Sequence, residues 1–248
     1  MTDRVTGQNR STAVMQRRRV APDSLDYFPT PPFATRALCE FLENVVEEPI
    51  ELQRAWEPAC GELHMVRPLR EYFADVRASD VHAYGDNELI DFPFTGGMEP
   101  QTDWVITNPP FKLAEAFIQT GLRVAGRGVA MLLRGAFLEG QDRYATLFDK
   151  TPPDYVLQFV ERVAMLEGRL IRYGDLDPFA EKAGTRVSTA TSYCWFVWLG
   201  SGFEQRDTRL RWIAPCRRRL ERPGDYPDYS HMLAADANGG GLFAERAA

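Results

Sequence analysis

Asp103-Trp104-Val105-Ile106-Thr107-Asn108-Pro109-Pro110-Phe111 reads as an apolar strand that delivers an amide, two prolines and an aromatic ring into a turn. Open α/β sheets bind their ligands outside the carboxyl ends of the strands, so a polar turn at that place is where chemistry collects. Asn108, Pro109, Pro110 and Phe111 have the parts of a flat clamp for an exocyclic amino group. The amide oxygen and a proline carbonyl accept its two N–H protons, and the ring stacks on the attached planar group. Asn-Pro-Pro is also ordinary turn chemistry. The order of the segments on either side decides between the two.

Downstream, the spacing predicts a helix over Leu113 to Val124, then Val129 to Leu133 as a strand buried on both faces. A short helix over Gln141 to Phe148 and strands over Tyr155 to Val160 and Ser192 to Leu199 follow. Upstream, Phe28-Pro29-Thr30-Pro31-Pro32 is a stiff extended segment, because each proline biases its predecessor away from helix. Ala37, Leu38, Phe41, Leu42 and Val45 recur at helical spacing after it. Arg54 to Glu57 runs as a strand into the turn Ala59-Cys60-Gly61, and Pro68 opens a helix carrying Leu69, Tyr72 and Phe73. Val76 to Asp80 is a second strand ending in an acid, and Leu89 to Phe92 a short third. Strands alternating with helices predict a mostly parallel seven-stranded sheet with helices on both faces.

The expected organisation is a disordered basic arm over 1–22, one domain over 23–225 and a flexible tail over 226–248. Within the domain, 167–191 is long and polar and is expected to be an insertion facing substrate. With 248 residues and 44% apolar side chains, the chain is long enough to bury a core without disulfides. Its four cysteines and three histidines are scattered without metal-ligand spacing, so no metal is expected and a reducing cytoplasm is the expected location. No membrane span is expected, since the apolar run near Tyr193 to Leu199 is far too short. A net charge of −6 argues against coating nucleic acid by bulk electrostatics, although arginines cluster at 17–19 and 209–222.

Phe28 to Pro32, Glu57-Pro58-Ala59-Cys60-Gly61, Asp80, Asp91-Phe92 and Asn108 to Phe111, in that order, resemble the motifs of S-adenosylmethionine-dependent amino methyltransferases. Within them the chain is most similar to adenine-N6 DNA methyltransferases of the phage and prophage type. The resemblance implies a Rossmann-like methyltransferase fold with S-adenosyl-L-methionine as cofactor. It implies that Glu57, with the backbone of Ala59, Cys60 and Gly61, holds the aminoacyl end, and that Thr30 reaches the carboxylate. Asp80 would accept from the ribose hydroxyls, Asp91 from the adenine N6, and Phe92 would pack on the adenine face. Asn108, as cofactor neighbour and catalytic residue, would act with Pro109 and Pro110 on the target amine, while Phe111 and Arg134 contact substrate.

The chain departs from that pattern at one point. The family's Gly-x-Gly reads Gly61-Glu62-Leu63 here, so a leucine stands where positive φ is expected, at a cost of roughly 1–3 kcal/mol. Its side chain is also expected to intrude on the methionine moiety. The expected substrate is nucleic acid, DNA ahead of RNA. A glutamine- or protein-directed enzyme, an RNA enzyme and a weakened cofactor-binding relative stand as alternatives. The sequence leaves the oligomeric state open.

Overall fold

A computed structural model describes residues 26–45, 49–96, 101–200 and 207–237. The arm expected over 1–22 lies outside them. The described chain builds an eight-stranded sheet in the order β3-β2-β1-β4-β5-β7-β6-β8. The strands are β1 (Arg54–Glu57), β2 (Asp75–Asp80), β3 (Glu88–Leu89), β4 (Thr102–Thr107), β5 (Ala125–Arg134), β6 (Tyr155–Phe159), β7 (Tyr193–Leu199) and β8 (Arg209–Ile213). All neighbouring pairs are parallel except those made by β7, which runs antiparallel between β5 and β6.

The alternation of side chains along the strands separates two apolar layers, as the period of a pleated strand requires. Ala130 and Leu132 of β5 and Trp195 and Val197 of β7 belong to one layer. Met131 and Leu133 with Phe196 and Trp198 belong to the other. Helix α1 (Pro32–Glu43) covers the first layer with Phe33, Leu38 and Leu42, joined by α2 (Val66–Leu69). Helix α3 (Ala114–Val124) covers the second with Phe117, Ile118 and Val124. Among the described residues no helix is long and apolar enough to cross a membrane.

The differences from expectation have local causes. α1 starts at Pro32, five residues before the first apolar position counted, because proline's fixed φ suits a first helical turn. β3 is two residues long, since Phe92–Phe94 turns as a 3₁₀ segment around Pro93, which has no N–H for a ladder. The sheet has an eighth strand where the sequence showed only a cluster of arginines. β8 is an edge strand with Leu210 and Trp212 exposed, so it carries no buried-strand pattern. Short helices α4 (Gln141–Arg143) and α5 (Arg217–Leu220) follow β5 and β8. The stretch from 226, expected as a flexible tail, carries α6 (Ser230–Ala237).

Arg36 of α1 is buried and holds the C-terminal region to the N-terminal helix. Its guanidinium donates to both carboxylate oxygens of Glu71 (2.8 and 2.9 Å), both of Asp225 (2.7 and 2.8 Å) and the Leu220 carbonyl (2.6 Å).

Candidate active site

The chain order reverses direction across the sheet between β1 and β4, which places a switch point at their C-terminal ends. A cavity of about 840 Å³, counting its open mouth, lies there. It is lined by Thr30, Glu57, Ala59, Cys60, Asp80, Asp91, Phe92, Asn108 and Pro110, so nine residues singled out in five separate segments converge on it. Gly61, Pro109, Phe111 and Arg134 do not line it.

Glu57, at the end of β1, is fully buried. Its Oε1 accepts from the Thr107 hydroxyl (2.5 Å) and the Ala59 N–H (3.0 Å), and its Oε2 has no partner among the described residues. Burial pushes its carboxyl up to about 8, against the lowering effect of those two hydrogen bonds. Asp80, at the end of β2, accepts the Gly61 N–H on Oδ2 and the His82 N–H on Oδ1, both at 3.0 Å. It thereby ties the glycine turn to β2. A carboxylate retains further lone pairs after two such bonds.

The turn itself shows why Gly61 is a glycine. Its φ is +46°, and a Cβ there would meet the Tyr27 ring at 2.4 Å. Leu63 has φ +68°, the one positive-φ residue other than glycine among those described. The sequence expectation of positive φ therefore holds, but the expected intrusion does not. Leu63 packs against the core layer of α1 and α2 and does not line the cavity. Cys60 lines the cavity with a thiol pushed up to about 12 by burial and the nearby Glu57 and Asp80, so it is held as a neutral thiol.

Asn108 follows β4. Its Nδ2 donates to the Phe28 carbonyl (2.8 Å) and approaches the Met165 sulfur (3.5 Å), while its buried Oδ1 has no partner among the described residues. The amide is thus fixed by its donor end with its acceptor end unused. The Phe28 to Pro31 segment is held over the site by further contacts. The Asp26 carboxylate accepts the Phe111 N–H (2.7 Å), Tyr27 O accepts the Gly168 N–H (2.9 Å), and the Thr30 hydroxyl faces Met165 Sδ at 3.8 Å. Phe111 lies beside Phe28 (5.3 Å between centroids) and Tyr193 (6.4 Å), with the Arg134 guanidinium over its ring at 3.9 Å. These two residues, expected on the substrate side, meet each other just outside the cavity. Phe92 is buried edge-on to Trp56 and beside Phe117.

Sequence reasoning missed several lining residues, among them Tyr27, His64, Met65 and Tyr84. Tyr27 stood next to the noted Phe28 and His64 next to the noted Leu63, but no spacing rule marked either. Among the described residues no cluster of three or more His, Cys, Asp or Glu is arranged to hold a metal ion.

No protein-family model matches the sequence, and no curated protein does. Solved structures do. A Listeria monocytogenes protein, provisionally described as a class I S-adenosylmethionine-dependent methyltransferase, matches with a TM-score of 0.51 and 14% identity over 88% of this chain and 73% of its own. The fold is Rossmann-like, of the methyltransferase type. Two lower-scoring likenesses are a provisional RNA methyltransferase from Pyrococcus horikoshii and the modification subunit of a provisional type I restriction enzyme from Vibrio vulnificus. The first has TM-score 0.49 and 14% identity over 71% of this chain and 88% of its own; the second has 0.48 and 14% over 88% and 53%. In a methyltransferase fold, the mouth beyond β1, β2 and β4 is the place where this chain concentrates its buried unpartnered acceptors. Glu57 Oε2, His64 Nδ1 and Asn108 Oδ1 all belong to cavity-lining residues.

Proposed function

We propose that this protein transfers a methyl group from S-adenosyl-L-methionine to an exocyclic amine, the N6 of adenine in DNA. The observation that carries the reading is Asn108: its donor end is spent on Phe28 O and its buried Oδ1 is unpartnered beside the cavity. Leaving a buried acceptor unsatisfied costs about 1–3 kcal/mol, so a ligand N–H is the natural partner. The cofactor fits the same site. Its ammonium and sulfonium groups are cationic, and a cation beside Glu57 would offset the burial that raises its carboxyl and hold Oε2 as an ionised acceptor. Asp80 keeps lone pairs for ribose hydroxyls, Asp91 and Phe92 line the wall for an adenine, and Thr30 comes from the segment laid over the mouth. When bound, the cofactor supplies an electrophilic methyl carbon.

The chain's own part is positioning and electrostatics. Asn108 Oδ1 accepts an N–H of the target amine together with the Pro109 carbonyl, which draws the nitrogen lone pair out of conjugation and stabilises the positive charge that grows on it. Phe111 stacks on the base once the Arg134 guanidinium, which lies over its ring at 3.9 Å, swings to the adjoining phosphate. A base in duplex DNA must leave the stack to reach this position. The test is transfer of labelled methyl from S-adenosylmethionine to double-stranded DNA, single-stranded DNA, RNA and protein. Label in adenine of DNA is expected, and Asn108→Ala is expected to reduce it at least 100-fold, on the order of one lost transition-state contact, with cofactor affinity kept. Labelled protein with unlabelled nucleic acid would overturn the substrate assignment.

A further inference from the structure

His64 is 7% exposed and lines the cavity, yet its Nδ1 has no hydrogen-bond partner among the described residues. Its Nε2 lies 3.4 Å from the Glu62 carboxylate. Burial lowers the affinity of the ring for a second proton, which outweighs the opposite pull of Glu62. A neutral ring carries one N–H, and a carboxylate beside Nε2 fixes that N–H there. Nδ1 is then a bare lone pair, buried on a residue that lines the cavity. Such an atom can only accept, and leaving it without a partner costs stability that a ligand N–H would recover.

We infer that His64 is a ligand-binding residue whose Nδ1 accepts an N–H of the α-ammonium group of the cofactor. The inference rests on the proposed cofactor reading and adds to it a contact that the motif order does not assign. It also gives the departure at Leu63 a consequence. The turn Cys60 to Met65 keeps the left-handed backbone at Leu63, and the residue after it reaches the cavity wall. Once a bound cation has drawn Glu57 into its ionised form, Glu57 Oε2 and His64 Nδ1, both on residues that line the cavity, can each accept from such a ligand.

Isothermal titration of the full chain separates the possibilities with four probes: S-adenosylmethionine, S-adenosylhomocysteine, decarboxylated S-adenosylmethionine and 5′-deoxy-5′-methylthioadenosine. The last lacks the α-ammonium group and the carboxylate of the aminoacyl end. His64→Leu and His64→Gln, neither of which leaves an acceptor at the Nδ1 position, are expected to weaken the first three about tenfold, the worth of one charge-assisted hydrogen bond. The fourth should bind unchanged, which also reports that the variant is folded. His64→Asn sets an amide oxygen near the Nδ1 position and is expected to restore most of the affinity. Equal losses for all four probes, or none, overturn the inference, as does a loss confined to the carboxylate-bearing ligands. If wild-type protein binds none of the four, the cofactor reading falls and this inference with it.

Discussion

Leu63 holds a left-handed backbone at φ +68° because the turn from Cys60 to Met65 needs it, and its side chain is offset by packing against the core. The strain is roughly 1–3 kcal/mol, and a partly buried leucine returns a similar amount, at most about 1.5–3 kcal/mol for full burial. Leu63→Gly should therefore change thermal stability little and leave cofactor affinity within about twofold. A gain of tenfold or more in titration would restore the idea that leucine obstructs the site. Glu57 gives a pH signature. Its folded-state pKa is raised from 4.5 to about 8, so its contribution to stability is full below about 4.5 and is lost as pH rises through 8. Melting of the ligand-free protein should fall between pH 5 and 8.5 more for the wild type than for Glu57→Gln. Equal slopes would mean that the carboxyl is ionised throughout.

At the scale of elements, the segment 26–31 and the loop 163–170 meet over the cavity through Asp26, Tyr27, Phe28 and Met165. Asp26→Ala removes the acceptor for the Phe111 N–H and should speed amide exchange at Phe111 and Gly168, with a cost of about 1–3 kcal/mol. Unchanged protection at both amides would show that the segment is held elsewhere. The existence of this segment was legible, because three prolines among five residues stiffen any chain. What it touches was not, since Asn108 lies 80 positions from Phe28 and Met165 lies 135 from Thr30. Strands β4, β5 and β7 were legible from dense apolar runs. β8 was not, because an edge strand with Leu210 and Trp212 exposed buries too little to leave a pattern. The positions of Asp80 and Glu57 were legible as strand ends, whereas His64 Nδ1 became a candidate only once its burial and lack of a partner were visible.

At the scale of the whole molecule, the buried Arg36 joins α1, Glu71 beyond the end of α2 and the C-terminal region in one ion cluster. Arg36→Ala removes the cation shared by Glu71, which keeps Arg222, and the more deeply buried Asp225, and should cost about 3 kcal/mol, read as a melting temperature lower by about 10 °C. A smaller loss from Arg36→Met than from Arg36→Ala would assign part of the effect to the packing of the aliphatic stem. A different constraint comes from β7. The ribosome makes β6 before β7, yet β6 and β8 join the sheet only through β7, which sits between β5 and β6. Until residue 199 has emerged, β5 offers a long unpaired edge whose Val129 to Leu133 is wholly apolar, the kind of surface that pairs with other chains. The interval between completion of β5 and completion of β7 is thus the one in which this protein is most exposed to aggregation. A chain stopped before Tyr193 should accumulate as insoluble material even though every residue of the cofactor cavity has already been made.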